Sequence, residues 1–315
     1  MNPHETAFVF PGQGSQTVGM GKDLAEGYPV AREVFDQADE WLGFHLSKIA
    51  WEGPEAELND TVNTQPALLV HSIAALKVLQ EQFPTFRPAF VAGHSMGELS
   101  ALVASGALPY REALFLVRRR GELMKMAGEI SPGGMAAVLG IDIPTLQRVC
   151  KEASTPDEVV QVANDNCPGQ VVISGASAAL ERAIQIAQQA GARRIRSLAV
   201  SIAAHSPLMA HAQADFNQAV DQAPLHDPTI PLIGNVTALP LTTSNEIRAD
   251  LQAQLTSPVR WTESIQEMVA RGVNTFFEIG NGSVLGGLIK RIDTEVSCSS
   301  LSGVFDFEKL FRAES

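Results

Sequence analysis

Short apolar runs alternate along the chain with longer segments in which apolar residues recur three and four positions apart. The short runs predict buried strands at Thr6–Phe10, Ala89–Ala92, Ile230–Ile233 and Thr275–Ile279. The longer segments predict helices at residues 66–79, 109–127, 247–255, 262–271 and 284–292, the first of them with Pro66 at its first helical position. This alternation is typical of an α/β fold with a mostly parallel sheet.

Residues 131–200 follow a different order. Ser131–Gly134 has the composition of a linker, and four strands and two helices then follow as β-α-β-β-α-β. The predicted strands are 135–141, 159–163, 170–174 and 193–200, the helices are 144–153 and 177–190, and 164–169 is a turn. The order is that of the ferredoxin-like fold. We therefore expect a small ferredoxin-like domain at 131–200, inserted into a large domain formed by 1–130 and 201–315.

The segment Gly93-His94-Ser95-Met96-Gly97 joins a predicted strand to an apolar helical segment. Gly-x-Ser-x-Gly in this setting is the nucleophile-elbow pattern, in which a tight turn exposes a serine hydroxyl at the end of a sheet. Gly93 and Gly97 suit the turn because a β-carbon would collide where backbone passes backbone. Ser95 is therefore the candidate nucleophile, and the backbone N–H of Met96 is a candidate oxyanion donor.

A second glycine-rich turn, Pro11-Gly12-Gln13-Gly14-Ser15-Gln16, follows the first predicted strand. Such a turn can present backbone N–H groups to an anion, but no Gly-Lys-Ser/Thr follows that would make it a P-loop. An α/β-hydrolase takes one oxyanion donor after its nucleophile and another from a distant strand-end loop. Taken with Ser95, the turn predicts the N–H of Gln13 as that second donor.

Three arginines are consecutive in the helix predicted at 109–127. The positions that share a helix face with Arg120 are all apolar, whereas those of Arg118 and Arg119 include charged residues. Arg118 and Arg119 are therefore predicted to face solvent, and Arg120 to point into the protein. A buried guanidinium needs an anion, which is either a protein carboxylate or a carboxylate of a ligand.

His205 lies in a loop of small residues where the chain returns to the predicted large domain. A domain junction is a usual place for a cleft, so His205 is either the catalytic base or a structural histidine. Gln65 precedes Pro66 and either marks the beginning of a helix or lies in the cleft.

Composition narrows the class of protein. The 315 residues are 45% apolar and 18% charged, as in ordinary soluble proteins, and suffice for one large domain or two unequal ones. No run approaches the ~18–20 apolar residues of a membrane span, and no secretory signal precedes the first strand. The net charge of −12 disfavours nucleic-acid binding. The three scattered cysteines suit a cytoplasmic protein.

Several short segments together carry a resemblance to a known family. They are Phe10–Gln16, Thr64–Ala67, Gly93–Glu98, Arg120-Gly121 with Met124, Asn166 with Pro168–Val172, His205–Met209, Gln254-Leu255 with Pro258-Val259, and Glu278–Gly280. The chain resembles, over essentially its whole length, the malonyl-CoA:acyl carrier protein transacylases of type II fatty acid synthesis. The resemblance implies an α/β-hydrolase-like core with a ferredoxin-like small domain. It implies transfer of malonyl from malonyl-CoA to the phosphopantetheine thiol of holo-acyl carrier protein through a seryl ester.

The resemblance also implies a role for each candidate residue. Ser95 would carry the malonyl ester, and His205 would be its base and later its general acid. A main-chain carbonyl near Gln254, and not an aspartate, would orient His205. Arg120 would bind the free malonyl carboxylate. The residues that would hold the oxyanion or line the site are Gln13, Met96, Gln65, Gln254 and Asn166.

The implied partners are malonyl-CoA and the carrier, with no cofactor or metal, no nucleic acid and no membrane, and the chain is expected to be a monomer. Because both this chain and its carrier are acidic, docking must use local basic groups. The candidates are Arg193, Arg194, Arg196, Lys290 and Arg291, and scattered solvated charge is the alternative. In the related acyltransferase domains of polyketide synthases, the position before the histidine covaries with the size of the acyl group. By this resemblance, the small Ala204 leaves methylmalonyl open as the acyl group.

Other functions stay open. The chain could be a discrete polyketide-pathway acyltransferase, the malonyl-transfer subunit of a malonate decarboxylase, a thioester hydrolase on the same Ser–His pair, or a non-catalytic scaffold. Arg120 argues against the hydrolase, which need not bind a carboxylate. The presence of Ser95, His205 and Arg120 together argues against the scaffold.

Overall fold

The computed structural model describes residues 2–198, 200 and 202–314. The strands are β1 (Thr6–Phe10), β2 (Phe90–Gly93), β3 (Gly133–Leu139), β4 (Val160–Cys167), β5 (Gln170–Ala176), β6 (Arg194–Ser197), β7 (Leu232–Ile233), β8 (Pro240–Leu241), β9 (Thr275–Ile279) and β10 (Ser297–Leu301). In the first half of the chain the helices are α1 (Lys22–Gly27), α2 (Pro29–Leu42), α3 (Leu46–Glu52), α4 (Glu55–Leu58), α5 (Thr61–Gln82), α6 (Gly97–Ala104), α7 (Tyr110–Ile130) and α8 (Ile143–Ala153). The later helices are α9 (Ser177–Gln189), α10 (Ala210–Gln222), α11 (Ser244–Gln254), α12 (Trp261–Ala270), α13 (Val284–Ile292) and α14 (Val304–Glu314). None of the helices in these described ranges is both long and apolar enough to cross a membrane.

The larger sheet has the strand order β10-β9-β1-β2-β7-β8. Its neighbouring strands are parallel except for the β7–β8 pair at one edge, as the strand–helix alternation predicted. Ala7 of β1 pairs with Phe90 of β2 on one side and with Phe276 of β9 on the other. Because parallel strands end at the same edge of a sheet, the turns after β1, β2 and β7 lie close together, and the site is built there.

The second sheet is antiparallel, with the order β4-β5-β3-β6, and α8 and α9 pack on it. The β-α-β-β-α-β order was therefore predicted correctly, but two boundaries were not. Gly133 and Gly134 pair with β5 and belong to β3, not to a linker. The predicted turn at 164–169 is mostly strand, because β4 continues to Cys167. Ala199 and Ser201, at the predicted domain boundary, lie outside the described residues.

Helix α5 begins earlier than predicted and carries Pro66 in its interior. The Asp60 carboxylate caps the helix by accepting a hydrogen bond from the N–H of Val62 at 3.2 Å. Proline has no N–H to donate to the carbonyl four residues before it, which here belongs to Val62. Arg118 donates to that carbonyl instead, from Nη1 at 3.0 Å. The prediction that Arg118 faces solvent was therefore wrong, because its side chain is partly buried and donates a hydrogen bond to a backbone carbonyl of α5.

The turn between β2 and α6 brings three backbone segments into contact. Ser95 at its tip has a φ of 53°, in the left-handed region. A β-carbon on Gly93 would lie 2.0 Å from the carbonyl carbon of Gly97, and one on Gly97 would lie 2.3 Å from the carbonyl oxygen of Phe10. Glycine is therefore required at both positions for the strand–turn–helix segment to close under Ser95.

We expect Gly93→Ala to lower the free energy of unfolding by about 3 kcal/mol or more, because the added methyl group meets backbone that cannot move aside. Gly287→Ala is the matched control, since a β-carbon on this residue of α13 would have no neighbour within 4 Å. Alanine there should be neutral or stabilise the helix by up to about 1 kcal/mol. Urea unfolding of both variants measures the difference, and equal stabilities would contradict the close approach.

Candidate active site

Ser95 and His205 meet from distant parts of the chain. The Ser95 Oγ lies 2.8 Å from the His205 Nε2. Both residues have left-handed backbone, with φ of 53° and 57°, a conformation that side-chain-bearing residues seldom adopt outside constrained sites. The His205 loop is held by Gln161 of β4, whose Nε2 donates to the carbonyls of His205 at 2.7 Å and of Thr256 at 3.1 Å. The two candidates for nucleophile and base are therefore a hydrogen-bonded pair.

The second ring nitrogen of His205 fixes its tautomer. Nδ1 lies 2.9 Å from the carbonyl oxygen of Gln254 and 3.2 Å from that of Ser257. Because carbonyls only accept, Nδ1 carries the proton and Nε2 accepts from the Ser95 hydroxyl. Burial, and after it the charge of Arg120, lower the pKa of His205 to about 3. The imidazole is therefore neutral at physiological pH and can take a proton.

Arg120 is buried beside the same hydroxyl. Its Nη2 donates to the Ser95 Oγ at 3.2 Å, its Nη1 to the Oε1 of Gln65 at 2.7 Å and its Nε to the Oε1 of Gln254 at 3.1 Å. Among the described residues no carboxylate pairs with it within 4 Å. Burial lowers the pKa of Arg120 to about 10, so the guanidinium stays charged at neutral pH. Of the two anions considered above, the protein carboxylate is thus not found in the described part of the chain. Gln65, inside α5, holds Arg120, and its place in the cleft stays a prediction.

Two backbone N–H groups beside Ser95 are free. Neither Gln13 nor Met96 donates its backbone N–H to an acceptor within the described ranges, and both residues line the cleft. The N–H of Ser95 is occupied, because it donates to the Oδ1 of Asn235 at 2.8 Å. Met96 also precedes the first turn of α6, where the helix dipole favours negative charge. The free pair is suited to hold an oxyanion.

Asn166 lines the cleft, but within the described ranges it has no hydrogen bond to Ser95 or His205. Its Oδ1 accepts a hydrogen bond from the Nε2 of His94 at 2.8 Å. The His94 ring in turn packs edge-on against Trp261, with ring centroids 5.4 Å apart. The position suits contact with the more distant part of a substrate, and the sequence prediction for Asn166 stays a prediction.

The cleft itself has a volume of about 280 Å³ and opens between the two sheets. Its polar end holds Ser95, His205 and Arg120. Its apolar lining comes from the antiparallel sheet and from α13, with contributions from Met135, Ala137, Val172, Val284, Leu285 and Leu288. A linear substrate with an apolar arm and a carboxylate at its buried end would fit this arrangement.

Asn235 is a site residue that the sequence analysis missed. It accepts from the N–H of Ser95 and donates from Nδ2 to the carbonyl of Gly93 at 2.7 Å, so that it holds both sides of the turn. A signal for it exists in the sequence, because Asn235 follows the strand β7. Polar residues after neighbouring parallel strands are expected to meet at the same sheet edge.

Two buried carboxyl groups lie beneath the turn. Glu98 accepts from the backbone N–H of Asn235 at 3.1 Å and from the Nε2 of Gln254, and it is hydrogen-bonded to Asp250. Burial and the neighbouring Asp250 raise the pKa of Glu98 well above its usual range. Like charges so close in a dry environment cannot both ionise, so the pair holds one proton. Glu98 was noted only as part of a motif, and no sequence signal pairs it with Asp250.

A serine hydroxyl bound to a neutral histidine, with two free N–H groups beside it, is typical of enzymes that pass an acyl group through a serine ester. The guanidinium at the same hydroxyl adds a binding group for a carboxylate on that acyl group. The fold and the site together thus define the class of serine acyl-transfer enzymes.

The chain belongs to the family of acyl transferase domains, which matches residues 7–299. It is 46% identical to the malonyl CoA-acyl carrier protein transacylase of Bacillus subtilis, over 94% of this chain and 93% of that one. A crystal structure of malonyl-CoA:acyl carrier protein transacylase from Xanthomonas oryzae is 42% identical, with a TM-score of 0.94 and 99% of each chain covered. The resemblance stated from the sequence is thereby confirmed.

One further similar structure contains a carrier. It is a type II polyketide acyl carrier protein in complex with its malonyl-transacylase, which is 40% identical to this chain at a TM-score of 0.94. The match covers 98% of this chain and 99% of the other.

We expect the imidazole of His205 to remain neutral to well below pH 5, because its pKa is near 3. In Arg120→Gln the pKa should rise, since a repelling positive charge is removed, although burial still keeps it below the usual 6.5. Nitrogen NMR of histidine-labelled protein measures both titrations, and His205→Gln identifies the signal. A titration near pH 6.5 in the unmodified protein would contradict the neutral, buried base.

Proposed function

We propose that this chain transfers a malonyl group from malonyl-CoA to the phosphopantetheine thiol of an acyl carrier protein. The observation that carries the proposal is the buried, charged Arg120, which lies 3.2 Å from the hydroxyl of Ser95 and whose hydrogen-bond partners in the described part of the chain are all uncharged. An enzyme that hydrolyses a simple acyl thioester does not require a free cation at this position. An enzyme that binds an acyl group with a free carboxylate does, because the cation pairs with that carboxylate. The names of the relatives agree with this substrate.

In the first half-reaction His205 takes the proton of the Ser95 hydroxyl at Nε2, and the Oγ attacks the thioester carbon of malonyl-CoA. The carbonyl π electrons move to the oxygen, and the backbone N–H groups of Gln13 and Met96 stabilise the oxyanion. The C–S bond then breaks, and the proton held on His205 passes to the departing CoA thiolate. Malonyl remains as an ester on Ser95, with its carboxylate on Arg120.

The second half-reaction runs the same steps in reverse with a different thiol. His205 takes the proton of the phosphopantetheine thiol, and the sulfur attacks the ester carbon. The same two N–H groups hold the second oxyanion. The C–O bond to Ser95 breaks, and the proton returns to the serine oxygen. Carbonyl oxygens of Gln254 and Ser257 keep the imidazole in the tautomer required for both halves.

We also propose the domain division and the finer fold names. Residues 131–200 would form a ferredoxin-like domain, supported by the strand order β4-β5-β3-β6 and the packing of α8 against α9. Residues 1–130 and 201–315 would form an α/β-hydrolase-like domain, supported by the parallel sheet and the turn after β2. The catalytic cleft would then lie between the two domains.

Carrier binding is proposed at the basic groups beside the cleft. Arg193, Arg194 and Arg291 line a cavity of about 450 Å³, and Arg291 donates to Gln170, which also lines the catalytic cleft. This continuity would place a carrier near the cleft opening. The remaining predicted groups, Arg196 and Lys290, are exposed. A cytoplasmic location and a monomeric state stay predictions.

We expect Ser95 to be the residue that becomes malonylated, and Ser95→Ala to abolish the acyl-enzyme. Intact-protein mass spectrometry after brief mixing with malonyl-CoA measures the adduct. Ser15→Ala is the control, because Ser15 also lines the cleft but takes no part in the steps above. A malonyl ester of undiminished yield in Ser95→Ala would refute the assignment.

The same measurement, continued with holo-acyl carrier protein, separates the candidate functions. Transfer of the malonyl mass to the carrier supports the transacylase, and comparison of fatty acid with polyketide carriers identifies the pathway. Decay to free malonate, with none on the carrier, would instead favour a hydrolase.

We expect Arg120→Ala to raise the activation free energy of malonyl transfer by about 2–5 kcal/mol, since a buried charge-assisted pair is lost. Acetyl transfer should fall much less, because acetyl has no carboxylate. Arg119→Ala is the matched control, because its side chain is half exposed and pairs with the surface carboxylates of Glu122 and Asp215. Acylation rates with malonyl-CoA and acetyl-CoA test this, and equal losses on both would refute the carboxylate role.

A further inference from the structure

Thr61, the first residue of α5, is buried and has no part in the steps described above. Its hydroxyl nevertheless connects two groups that do. The Nε2 of Gln65 donates to the Thr61 Oγ1 at 2.8 Å, and that hydroxyl donates to the Oε1 of Gln13 at 2.9 Å. Gln65 in turn accepts from Arg120 at 2.7 Å. A continuous chain of three hydrogen bonds therefore runs from the guanidinium to the turn after β1.

The direction of this chain is determined by its first member. Arginine has only donors, so Gln65 must turn its Oε1 toward Arg120 and its Nε2 toward Thr61. The Thr61 oxygen therefore accepts, and its single proton goes to Gln13. Bonds that all point away from a cation polarise one another, and each orders the next. Thr61 is the one link that both accepts and donates through the same atom.

The backbone around Thr61 is also fixed. A β-carbon on Gly121, the residue after Arg120, would lie 2.8 Å from the Thr61 carbonyl oxygen. The beginning of α5 is therefore in close contact with α7 at the level of Arg120. A hydroxyl on this residue has little freedom to leave the chain of bonds.

We propose that Thr61 is a positioning residue that holds the Arg120 guanidinium and the Gln13 turn in register through its hydroxyl. This inference rests on the proposed function, in which Arg120 binds the acyl carboxylate and the Gln13 N–H stabilises the oxyanion. One helix end then sets the distance between the two points at which the malonyl group is held. The carboxylate and the reacting carbonyl are thus presented together to Ser95.

When the Thr61 hydroxyl is removed, the two ends of this chain of hydrogen bonds give two different kinetic effects. At the Gln13 end the oxyanion donor is less well placed, which lowers the first-order acylation rate for every thioester. At the Arg120 end Gln65 is less well held, which weakens binding of the carboxylate. The half-saturating concentration should therefore rise for malonyl-CoA and stay constant for acetyl-CoA.

The experiment compares Thr61→Val, which has nearly the same shape without the hydroxyl, with Thr61→Ser, which retains it. Thr64→Val is the matched control, because Thr64 is a buried threonine of the same helix whose hydroxyl donates to the main-chain carbonyls of Leu58 and Asp60. Single-turnover acylation is measured over a range of malonyl-CoA and acetyl-CoA concentrations. Thermal unfolding of each variant shows how much protein is folded at the assay temperature.

In Thr61→Val we expect the acylation rate to fall about tenfold with both thioesters, and the half-saturating malonyl-CoA concentration to rise about three- to tenfold. Thr61→Ser should restore both values to near those of the unmodified protein. Thr64→Val should lower thermal stability and change neither. Unchanged kinetics in Thr61→Val, or equal losses in Thr61→Val and Thr61→Ser, would overturn the proposal.

These experiments test the proposed function separately from the role of Thr61. If the unmodified protein passes malonyl to the carrier and Arg120→Ala is strongly slowed with malonyl-CoA, the proposed function stands whatever Thr61→Val shows. If the unmodified protein forms an acetyl ester but no malonyl ester, both the proposed function and this inference are overturned.

Discussion

The site depends on one charged group that the protein buries without neutralising it. Arg120 is 1% exposed, and its three hydrogen-bond acceptors are two amide oxygens and a hydroxyl. Amide oxygens stabilise a desolvated guanidinium but leave its charge in place, whereas a protein carboxylate would cancel it. Glu98, whose charge acts on Arg120, shares a proton with Asp250, which limits the negative charge felt by the cation. The cation therefore keeps its attraction for a ligand carboxylate and its repulsion of a proton on His205.

Two strained backbone positions hold the reacting atoms together. Ser95 and His205 both adopt left-handed backbone, which costs on the order of 1–3 kcal/mol for each residue. Surrounding bonds maintain the strain: Asn235 bridges the two sides of the Ser95 turn, and Gln161 ties the His205 loop to the antiparallel sheet. Since these bonds come from both sheets, the distance between nucleophile and base depends on how the two sheets are held relative to one another.

Features with local causes could be predicted from the sequence. The strands, the β-α-β-β-α-β order and the tight turn at Ser95 follow from short-range apolar patterns and glycine positions, and helical spacing sufficed to place Arg120 inside. Contacts between distant segments could not be predicted in this way. Asn235 reaches Ser95 across 140 residues, and the role of Thr61 was hidden because Pro66 suggested a later beginning for α5. Arg118 donates to the Val62 carbonyl that Pro66 leaves without a backbone donor, and only the tertiary structure reveals that contact.

The position of β1 in the sheet has a consequence for how the chain folds during synthesis. β1 pairs with β2, which follows within about 80 residues, but its other edge pairs with Thr275–Ile279. At ribosomal rates of ~5–20 residues per second, roughly 15–50 s pass between the appearance of β1 and that of β9. During that interval an apolar strand has an open edge, which is a template for pairing with other chains. The edge of β1 that β9 covers therefore stays open until most of the chain has been synthesised.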